Sequence, residues 1–528
     1  MNIQGKNYIG NTLAASGDRT FQAYVPARDT YLPETFHCAT QEEVQTTMQL
    51  AEKASGAYAA TTSRDRAAFL RAITEEILTI GDVLLERASL ETGLPIARLE
   101  GERARTINQL TQFAELLEEG SWVRASIDTA DPQRTPPKPD LRKMLIPIGP
   151  VVVFGSSNFP FAYSVAGVDT GPALAAGNPV IVKAHAAHPG VSDLVAQAVI
   201  RAAQKTGMPE GVFSMLYDDG FEVGSALVKH PATRAVGFTG SYHGGMALYK
   251  LVQEREEPIP VYAEMGSVNP VVILPESLKN DPEGLARTLA ASVTLGAGQF
   301  CTNPGLVFVT RTAGFEAFIQ AYENAFAAVS PATMLTAGIC KNYYKLRNEI
   351  FDQSEVEQLA LSEVAETLKN QAQTSVAQVP AAAFITNPRL REEVFGPFSL
   401  LVVCENTSEL LEAIQVVKGQ LTTSLIATEE EAASYPAIVR HLSRISGRFI
   451  MNGVPTGVEV CASMHHGGPF PATNDPKFTS VGVDSILRFV RPQTYQGWPD
   501  SLLPPELQNS NPQRIHRFVN NAWSSEAI

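Results

Sequence analysis

The chain has 528 residues, of which 44% are hydrophobic and 18% are charged, so it can form two or three domains with large cores, and intrinsic disorder is excluded as its dominant state. Its formal net charge is −14 and it has no Lys/Arg-rich run, which excludes the basic surface needed to bind nucleic acid or an anionic membrane. No stretch approaches the ~20 apolar residues of a membrane span, and residues 1–10 lack the apolar segment of a signal peptide. We therefore expect a soluble, cytoplasmic enzyme that acts on a small molecule.

The cysteines are odd in number, widely spaced and free of C-x-x-C spacing. This arrangement argues against a disulfide framework or a zinc knuckle, and we expect no metal site. A reducing compartment fits these thiols best. The five cysteines are Cys38, Cys301, Cys340, Cys404 and Cys461.

The N-terminal part of the chain carries apolar residues at helical spacing, which predicts helices over 41–60, 63–90 and 99–117. A Pro-rich segment at 131–139 interrupts this pattern and predicts a loop or a crossing between domains.

From residue 149 onward, short apolar runs alternate with helical segments, and several of these helices end at a glycine. This alternation predicts a parallel, doubly wound α/β sheet. The predicted strands cover 149–155, 179–183, 212–216, 235–239 and 260–264, with helices over 164–176, 191–206, 221–230 and 245–253.

A second alternating series starts near residue 270 and predicts a second α/β domain. The tail beyond residue 491 is rich in Pro and Gln, and we expect it to pack on a neighbouring element or subunit. The predicted strands are 271–274, 306–309, 398–403, 423–427 and 448–451, and the predicted helices are 282–295, 313–327, 407–417 and 429–442.

Polar side chains stand at or just after three strands of the first series, where doubly wound sheets bind ligands. Asn158 offers two side-chain donors. Lys183 can reach a ribose or a phosphate, or can simply extend into solvent. Glu264 is a candidate general base, with a structural carboxylate as the alternative.

Two glycine-rich segments carry further candidates. The turn Gly240-Ser-Tyr-His-Gly-Gly245 joins a strand to a helix, so its backbone N–H groups suit a phosphate, although a purely structural turn fits as well. Cys301 lies in a loop flanked by glycines, where converging N–H groups could stabilise an oxyanion. The alternative is a buried, inert cysteine.

Taken together and in order, these segments resemble the aldehyde dehydrogenase superfamily over nearly the whole chain. The resemblance implies a Rossmann-like NAD(P)-binding domain of residues 1–128 and 148–265, and an α/β catalytic domain of residues 266–465. It also implies an oligomerisation element with a C-terminal tail, residues 129–147 and 485–528. The motifs that carry it are Asn158-Phe-Pro, Lys183, Phe238-Thr-Gly-Ser241, Glu264-Met-Gly266, Gly298-Gln-Phe-Cys301 and Glu393-Val-Phe-Gly-Pro397.

The resemblance also implies a role for each matching residue. Cys301 is the expected nucleophile, Asn158 stabilises the oxyanion, and Glu264 activates the water that hydrolyses a thioester. The expected cofactor is NADP, which we favour, or NAD. Its contacts are expected from Lys183, Thr239, Gly240, Ser241, Gly245, Glu393 and Phe395.

Residues 91–95, 101–105, 452–461 and 466–469 narrow the resemblance to the branch with 2-oxoglutarate semialdehyde (2,5-dioxovalerate) dehydrogenases. Such a substrate needs a cation for its carboxylate, and Arg103 and Arg105 are the candidates, unless they pair with neighbouring glutamates on the surface. Phe159 and Phe470 are expected to form an apolar collar around the substrate carbons. We expect a homodimer or a homotetramer.

Four other functions stay open at this point. A fatty aldehyde dehydrogenase, similar to the NADP-dependent enzymes of luminous bacteria, would keep the collar and need no arginine. A CoA-acylating dehydrogenase typically lacks the base, so Glu264 argues against it. A cysteine hydrolase needs a histidine partner, and no histidine lies near Cys301 in the sequence. A catalytically dead binding protein would have lost one of the three catalytic residues.

Two positions depart from the family pattern. Ser157 replaces an aromatic residue that often precedes the Asn-Phe-Pro motif, and Ala186 replaces an acidic residue that many NAD-preferring members carry. Without that carboxylate, a 2′-phosphate meets less repulsion, and His185 and His188 are possible donors to it.

Overall fold

The computed structural model describes residues 2–528. The predicted helix over 63–90 is two helices, because Gly81 has a φ of 70° and ends the first of them. The sequence analysis missed the short N-terminal strands. The elements before residue 148 are β1 (Asn7–Ile9), β2 (Thr12–Ala14), β3 (Thr20–Val25), β4 (Thr30–His37), α1 (Gln41–Ala59), α2 (Ser63–Ile80), α3 (Asp82–Thr92), α4 (Ile96–Glu119), β5 (Ser126–Asp128) and β6 (Leu141–Pro147).

The first alternating series forms the predicted parallel sheet. Its strand order is β11-β10-β7-β8-β9-β1-β2, and the N-terminal β1 runs antiparallel to β9. Of the helix predicted over 164–176, only residues 170–176 are helical, because non-helical turns and bends occupy residues 164–169. The elements are β7 (Val151–Phe154), α5 (Thr170–Ala176), β8 (Val180–Lys183), α6 (Pro189–Lys205), β9 (Phe213–Leu216), α7 (Glu222–Lys229), β10 (Ala235–Thr239), α8 (Tyr242–Gln253) and β11 (Val261–Glu264).

The second series forms a sheet with the order β15-β17-β18-β13-β12-β19-β20, parallel except for β15. The helix predicted over 429–442 is broken at Pro436, which starts a new helix. The elements are β12 (Val271–Ile273), α9 (Pro275–Asn280), α10 (Pro282–Thr294), β13 (Leu306–Thr310), α11 (Phe315–Ala327), β14 (Ala332–Thr333), α12 (Ala337–Phe351), β15 (Glu357–Leu361), β16 (Gln371–Ala372), β17 (Ser375–Pro380), α13 (Ala381–Thr386), β18 (Phe398–Cys404), α14 (Thr407–Gln415), β19 (Gln420–Ile426), α15 (Glu429–Ser434), α16 (Pro436–Ile445) and β20 (Ser446–Met451).

The C-terminal tail is more regular than its sequence indicated. It forms β21 (Val490–Gln496), β22 (Arg517–Val519) and β23 (Ala522–Ser524), which join β5 and β6 in a sheet of order β21-β6-β5-β22-β23. The tail therefore packs on its own chain, although Trp498 and Trp523 remain 50% and 68% exposed.

The two large sheets meet where β11 leads into β12. The main chain of the connecting segment is tied down by the bonds Met265 N–H to Ala472 O (2.7 Å) and Gly305 N–H to Val268 O (2.9 Å). The carboxyl end of the first sheet thus faces the loop before β13 of the second. Among residues 2–528, no helix is both long enough and apolar enough to cross a membrane.

Candidate active site

The loop that carries Cys301 lies between α10 and β13, and its backbone is held in an unusual conformation. Gly296, Ala297 and Gly298 have φ angles of 55°, 57° and 65°. A Cβ atom on Gly298 would stand 2.2 Å from the carbonyl oxygen of Gly396, so only glycine fits there. The close approach fixes the thiol loop against the loop that follows Glu393.

Asn158 follows β7 and reaches the same loop. Its Nδ2 donates to the carbonyl oxygen of Gln299 (3.2 Å), two residues before Cys301. The Asn158 carbonyl accepts a hydrogen bond from Arg98 Nη2 (2.8 Å). The structure therefore brings the predicted oxyanion donor next to the predicted nucleophile.

A histidine that the sequence analysis missed connects the thiol to the predicted base. His466 Nε2 lies 3.5 Å from Cys301 Sγ and 3.1 Å from Glu264 Oε1. Ser480 Oγ donates to the other carboxylate oxygen, Glu264 Oε2 (2.6 Å). Both His466 and Glu264 are buried. The thiol and the carboxylate therefore share one ring nitrogen, unlike a catalytic triad, in which the carboxylate holds the other nitrogen. His466 Nδ1 is buried, and among residues 2–528 it has no hydrogen-bond partner.

The distance along the sequence between Cys301 and any histidine therefore does not argue against a cysteine hydrolase. Cys301 and His466 are 165 positions apart, so no local spacing could reveal the pair. The one sequence signal for His466 was the motif at residues 466–469, which served to narrow the family resemblance and gave no role to the histidine itself.

Burial and charge act in opposite directions on this cluster. Burial, and next the neighbouring Glu264 carboxylate, raise the pKa of the Cys301 thiol well above its usual value, while Arg105 opposes this shift. Burial would also raise the pKa of Glu264, but His466 and Ser480 outweigh it, and the net shift is downward. The resting site therefore pairs an ionised carboxylate with a neutral thiol that needs a base.

Several predicted cofactor residues gather at the carboxyl edge of the first sheet. Lys183 ends β8, and its Nζ donates to the Asp218 carbonyl oxygen (2.7 Å). Thr239 ends β10, and Gly240 and Ser241 lead into α8, where the Ser241 hydroxyl caps the helix. Lys183 and the start of α8 stand at the same sheet edge, separated by β7. A capped helix N-terminus has the chemistry to hold a pyrophosphate.

Glu393 and Phe395 line a cavity together with Gly298 and Phe300 of the thiol loop. Burial raises the pKa of the Glu393 carboxyl group to about 7. Its Oε1 accepts one long hydrogen bond, from the Ser267 N–H at 3.5 Å, and so keeps capacity for further donors such as ribose hydroxyls.

Three residues that were expected to contact the cofactor, Gly245, His185 and His188, are buried or occupied by other contacts. α8 begins three residues earlier than predicted, and Gly245 is buried in its first turn, where a Cβ would meet Met265 at 2.8 Å. This glycine serves helix packing. His188 is fully buried and bonded to the Ser156 carbonyl, so it cannot reach a 2′-phosphate. His185 stacks on it, and burial lowers the pKa of His185 well below its usual value, leaving it uncharged.

The apolar collar contains Phe159 but not Phe470. Phe159 packs against Tyr163 (5.3 Å between ring centroids) and Phe300 (5.6 Å). Phe470 is 51% exposed and packs edge-on against Tyr242 at the start of α8. Phe159, next to Asn158, thus packs with Phe300, next to Cys301. The expectation that Phe470 forms a collar with Phe159 is wrong.

Two arginines stand over this collar, and a third lies near it. Arg98 and Arg105, two turns apart on α4, have their guanidinium carbons 5.2 Å and 6.0 Å from the Phe159 ring centroid. Burial lowers the pKa of Arg448, and the neighbouring Cys301 and Tyr163 oppose this shift. Among residues 2–528, the buried atoms Arg105 Nε and Nη2, Arg98 Nη1 and Arg448 Nε have no hydrogen-bond partner. Such unpaired donors are costly unless a ligand satisfies them. The sequence analysis missed Arg98 and Arg448.

Arg103 does not join them. Its Nη1 donates to the Gly81 carbonyl oxygen (3.0 Å) at the junction of α2 and α3. A helix turns about 100° per residue, so positions 103 and 105 face different directions. The expectation that Arg103 stands with Arg105 beside the collar is wrong, whereas Arg105 lies over the Phe159 and Tyr163 rings.

The comparisons with known proteins identify an enzyme that oxidises aldehydes. The chain matches the aldehyde dehydrogenase family over residues 13–468 and belongs to it. The predicted fold and enzyme class are confirmed. Members of this family use NAD(P).

Two relatives match nearly the whole chain. Alpha-ketoglutaric semialdehyde dehydrogenase 2 of Azospirillum brasilense is 47% identical, covering 98% of this chain and 99% of its own. Alpha-ketoglutaric semialdehyde dehydrogenase of Acinetobacter baylyi is 43% identical, covering 98% of both chains. The structure of a 3,6-anhydro-L-galactose dehydrogenase in complex with NAP shares the fold, with a TM-score of 0.79, 21% identity, and coverage of 93% and 99%.

The electrostatics of Cys301 give a testable pH dependence. Glu264→Gln removes a negative charge that raises the thiol pKa, so the thiolate fraction at a given pH should increase. Alkylation of the Cys301 peptide by iodoacetamide, followed by mass spectrometry across pH, should then show a midpoint at lower pH and a several-fold faster reaction at neutral pH. The exposed Glu100→Gln is the matched control and should leave the profile unchanged. A midpoint that stays in place or rises in Glu264→Gln would contradict this assignment.

Proposed function

We propose that this protein oxidises 2-oxoglutarate semialdehyde (2,5-dioxovalerate) to 2-oxoglutarate with NADP as the preferred hydride acceptor. The unpaired, buried Arg105 donors beside the collar carry this proposal, because they offer a cation to a substrate carboxylate. The names of the two relatives that match the full chain support the same substrate.

Acylation begins with the thiol. His466 Nε2 removes the proton from Cys301 Sγ as the sulfur attacks the aldehyde carbon, and Glu264 stabilises the imidazolium that forms. The resulting oxyanion accepts hydrogen bonds from Asn158 Nδ2 and the Cys301 N–H group. NAD(P), held by Lys183, Ser241 and Glu393, would supply the hydride acceptor, and loss of the hydride from the substrate carbon would leave a thioester on Cys301.

Deacylation uses the same cluster. His466 first releases the thiol proton to solvent. The lowered pKa of Glu264 keeps it ionised, so the Glu264–His466 pair can then take a proton from a water molecule that attacks the thioester carbon. The C–S bond breaks, Cys301 recovers its proton and the carboxylic acid leaves as a carboxylate. The presence of Glu264 also argues against a CoA-acylating dehydrogenase, because that class of enzyme uses no such base.

The far end of the substrate determines the choice among aldehydes. Arg105 stands over the Phe159 and Tyr163 rings (6.0 Å and 5.8 Å), and it acts electrostatically on Cys301. Arg98 and Arg448 bring further buried N–H groups to the same pocket. A fatty aldehyde would satisfy the collar and leave these guanidinium groups unpaired, at a cost of about 1–3 kcal/mol for each unsatisfied group.

Cofactor recognition rests on what surrounds Ala186. No carboxylate stands at this position to repel a 2′-phosphate, and Lys183 provides a nearby ammonium group. Ser241, Gly240 and the start of α8 would hold the pyrophosphate, and Glu393 a ribose. Since His185 and His188 are neutral or occupied, the preference for NADP comes from the missing repulsion.

We also propose a cytoplasmic homodimer or homotetramer. The sheet built from residues 126–147 and 490–524 exposes Trp498, Leu502 and Trp523 (50%, 64% and 68%), which supports a role in self-association. The five free thiols fit a reducing compartment.

The substrate assignment is tested with two neighbouring arginines. Arg105→Met should lower kcat/KM for 2,5-dioxovalerate about 10- to 150-fold, the value of a hydrogen bond to a charged group, and spare glutaraldehyde and decanal. Arg103→Met removes the same charge from the same helix but lies outside the pocket, and should act on all three aldehydes equally. A wild-type preference for decanal, or equal losses in Arg105→Met for charged and neutral aldehydes, would overturn the assignment.

The cofactor preference is tested at position 186. Ala186→Glu should move the ratio of kcat/KM values from NADP toward NAD by about 1 to 3 kcal/mol, or about 5- to 150-fold, because the carboxylate repels a 2′-phosphate. Ala186→Gln adds a side chain of the same size without the charge and should change the ratio far less. A wild-type enzyme that strongly prefers NAD would contradict the proposal.

A further inference from the structure

The catalytic cluster combines three side chains that together form a zinc-binding set. Cys301 offers a thiolate, His466 an imidazole nitrogen and Glu264 a carboxylate oxygen, and these ligand atoms lie within 4.8 Å of one another. Thiolate, imidazole and carboxylate are the ligands that Zn²⁺ takes in proteins. Dehydrogenase chemistry at this site requires no metal, so a metal here would compete with the reaction.

The distances suit tetrahedral zinc. With Zn–S of about 2.3 Å and Zn–N and Zn–O of about 2.0–2.1 Å, a tetrahedral site separates sulfur from nitrogen by about 3.5 Å and nitrogen from oxygen by about 3.3 Å. The corresponding separations here are 3.5 Å from Cys301 Sγ to His466 Nε2 and 3.1 Å from His466 Nε2 to Glu264 Oε1. The ligand atoms of Cys301 and Glu264 lie within 4.8 Å of each other, and a tetrahedral site separates sulfur from oxygen by about 3.5 Å. Movements of at most about 1.3 Å would therefore bring the three side chains to the ion.

Charge also favours a divalent cation. A thiolate and a carboxylate carry two negative charges side by side in a buried site, and Zn²⁺ neutralises both while the thiol proton leaves to solvent. Ser480 Oγ holds the second carboxylate oxygen (2.6 Å), so Glu264 stays oriented as a single-oxygen ligand. Three protein ligands leave the fourth position for water.

We infer that Cys301, His466 and Glu264 form a reversible inhibitory site for Zn²⁺ or a similar thiophilic divalent ion. Occupancy would tie up the nucleophile and both residues that move its proton, and would stop the reaction at its first step. The site depends on the cluster alone and holds for any aldehyde substrate.

Binding is measured on the full chain without substrate or nucleotide, so that the result does not depend on the substrate assignment. We expect titration with ZnCl₂ to show one ion per chain, and Cd²⁺ to give the charge-transfer absorbance of a metal thiolate. Mg²⁺, which prefers oxygen ligands, should neither bind nor inhibit. Zn²⁺ should protect the Cys301 peptide from iodoacetamide and abolish turnover, and a chelator should restore both.

Variants locate the site. Cys301→Ser and His466→Asn should each weaken Zn²⁺ binding about tenfold or more. Cys38 lies near Asp218 and Asp219 in a second potential ligand set, so Cys38→Ser is the matched control and should bind Zn²⁺ as the wild type does. The wild-type protection experiment remains decisive if a variant does not fold. Full alkylation of Cys301 in saturating Zn²⁺, or loss of binding in Cys38→Ser alone, would overturn the inference.

Discussion

The bond between His466 and Glu264 is the contact on which the rest of the site depends. Glu264 ends the first parallel sheet, Cys301 precedes a strand of the second, and His466 comes from the segment that crosses back between them. His466 Nε2 lies within hydrogen-bonding distance of both Cys301 and Glu264, so it connects reactive groups from the two sheets. Ser480, from the same returning segment, fixes the other carboxylate oxygen and so prevents the base from turning away.

This coupling answers a problem that burial creates. A thiol inside protein and next to a carboxylate resists ionisation, yet the reaction needs a thiolate at the moment of attack. A neutral thiol with a base at hydrogen-bonding distance is protected until the aldehyde arrives, and then loses its proton to that base. Farther out, Arg105 supplies positive potential at the thiol, and in the proposed function it also pairs with the substrate carboxylate.

Most of the fold was predictable because hydrophobic periodicity is a local property. The parallel strands of the first series and five of the seven strands of the second sheet were predicted from short apolar runs and glycine helix stops, whereas β15 and β17 were missed. Helices were misjudged where a single residue breaks the backbone, as at Gly81 and Pro436. The N-terminal and C-terminal strands were missed because each is only a few residues long or depends on a partner far along the chain. β21, for example, forms its ladder with β6 more than 300 residues earlier.

The candidate site divides in the same way. Asn158 follows a strand, Glu264 ends one and Cys301 precedes one. All three lie in recognisable motifs, so sequence reasoning could name them. His466 and Arg448 join the site only through the tertiary fold, and Arg98 lies on a helix whose orientation the sequence does not define. Arg103 and Arg105 show the limit clearly, because two residues of rotation on α4 decide that one bonds to Gly81 and the other enters the pocket.

The central claim is that a thioester on Cys301 is hydrolysed with Glu264 as base. The most direct measurement is mass spectrometry of Glu264→Gln, acid-quenched after mixing with 2,5-dioxovalerate and NADP. The account predicts about one equivalent of reduced cofactor per chain and an acyl adduct on the Cys301 peptide that persists because deacylation is slow. Steady turnover at the wild-type rate without an adduct, or an adduct on any other cysteine, would contradict it.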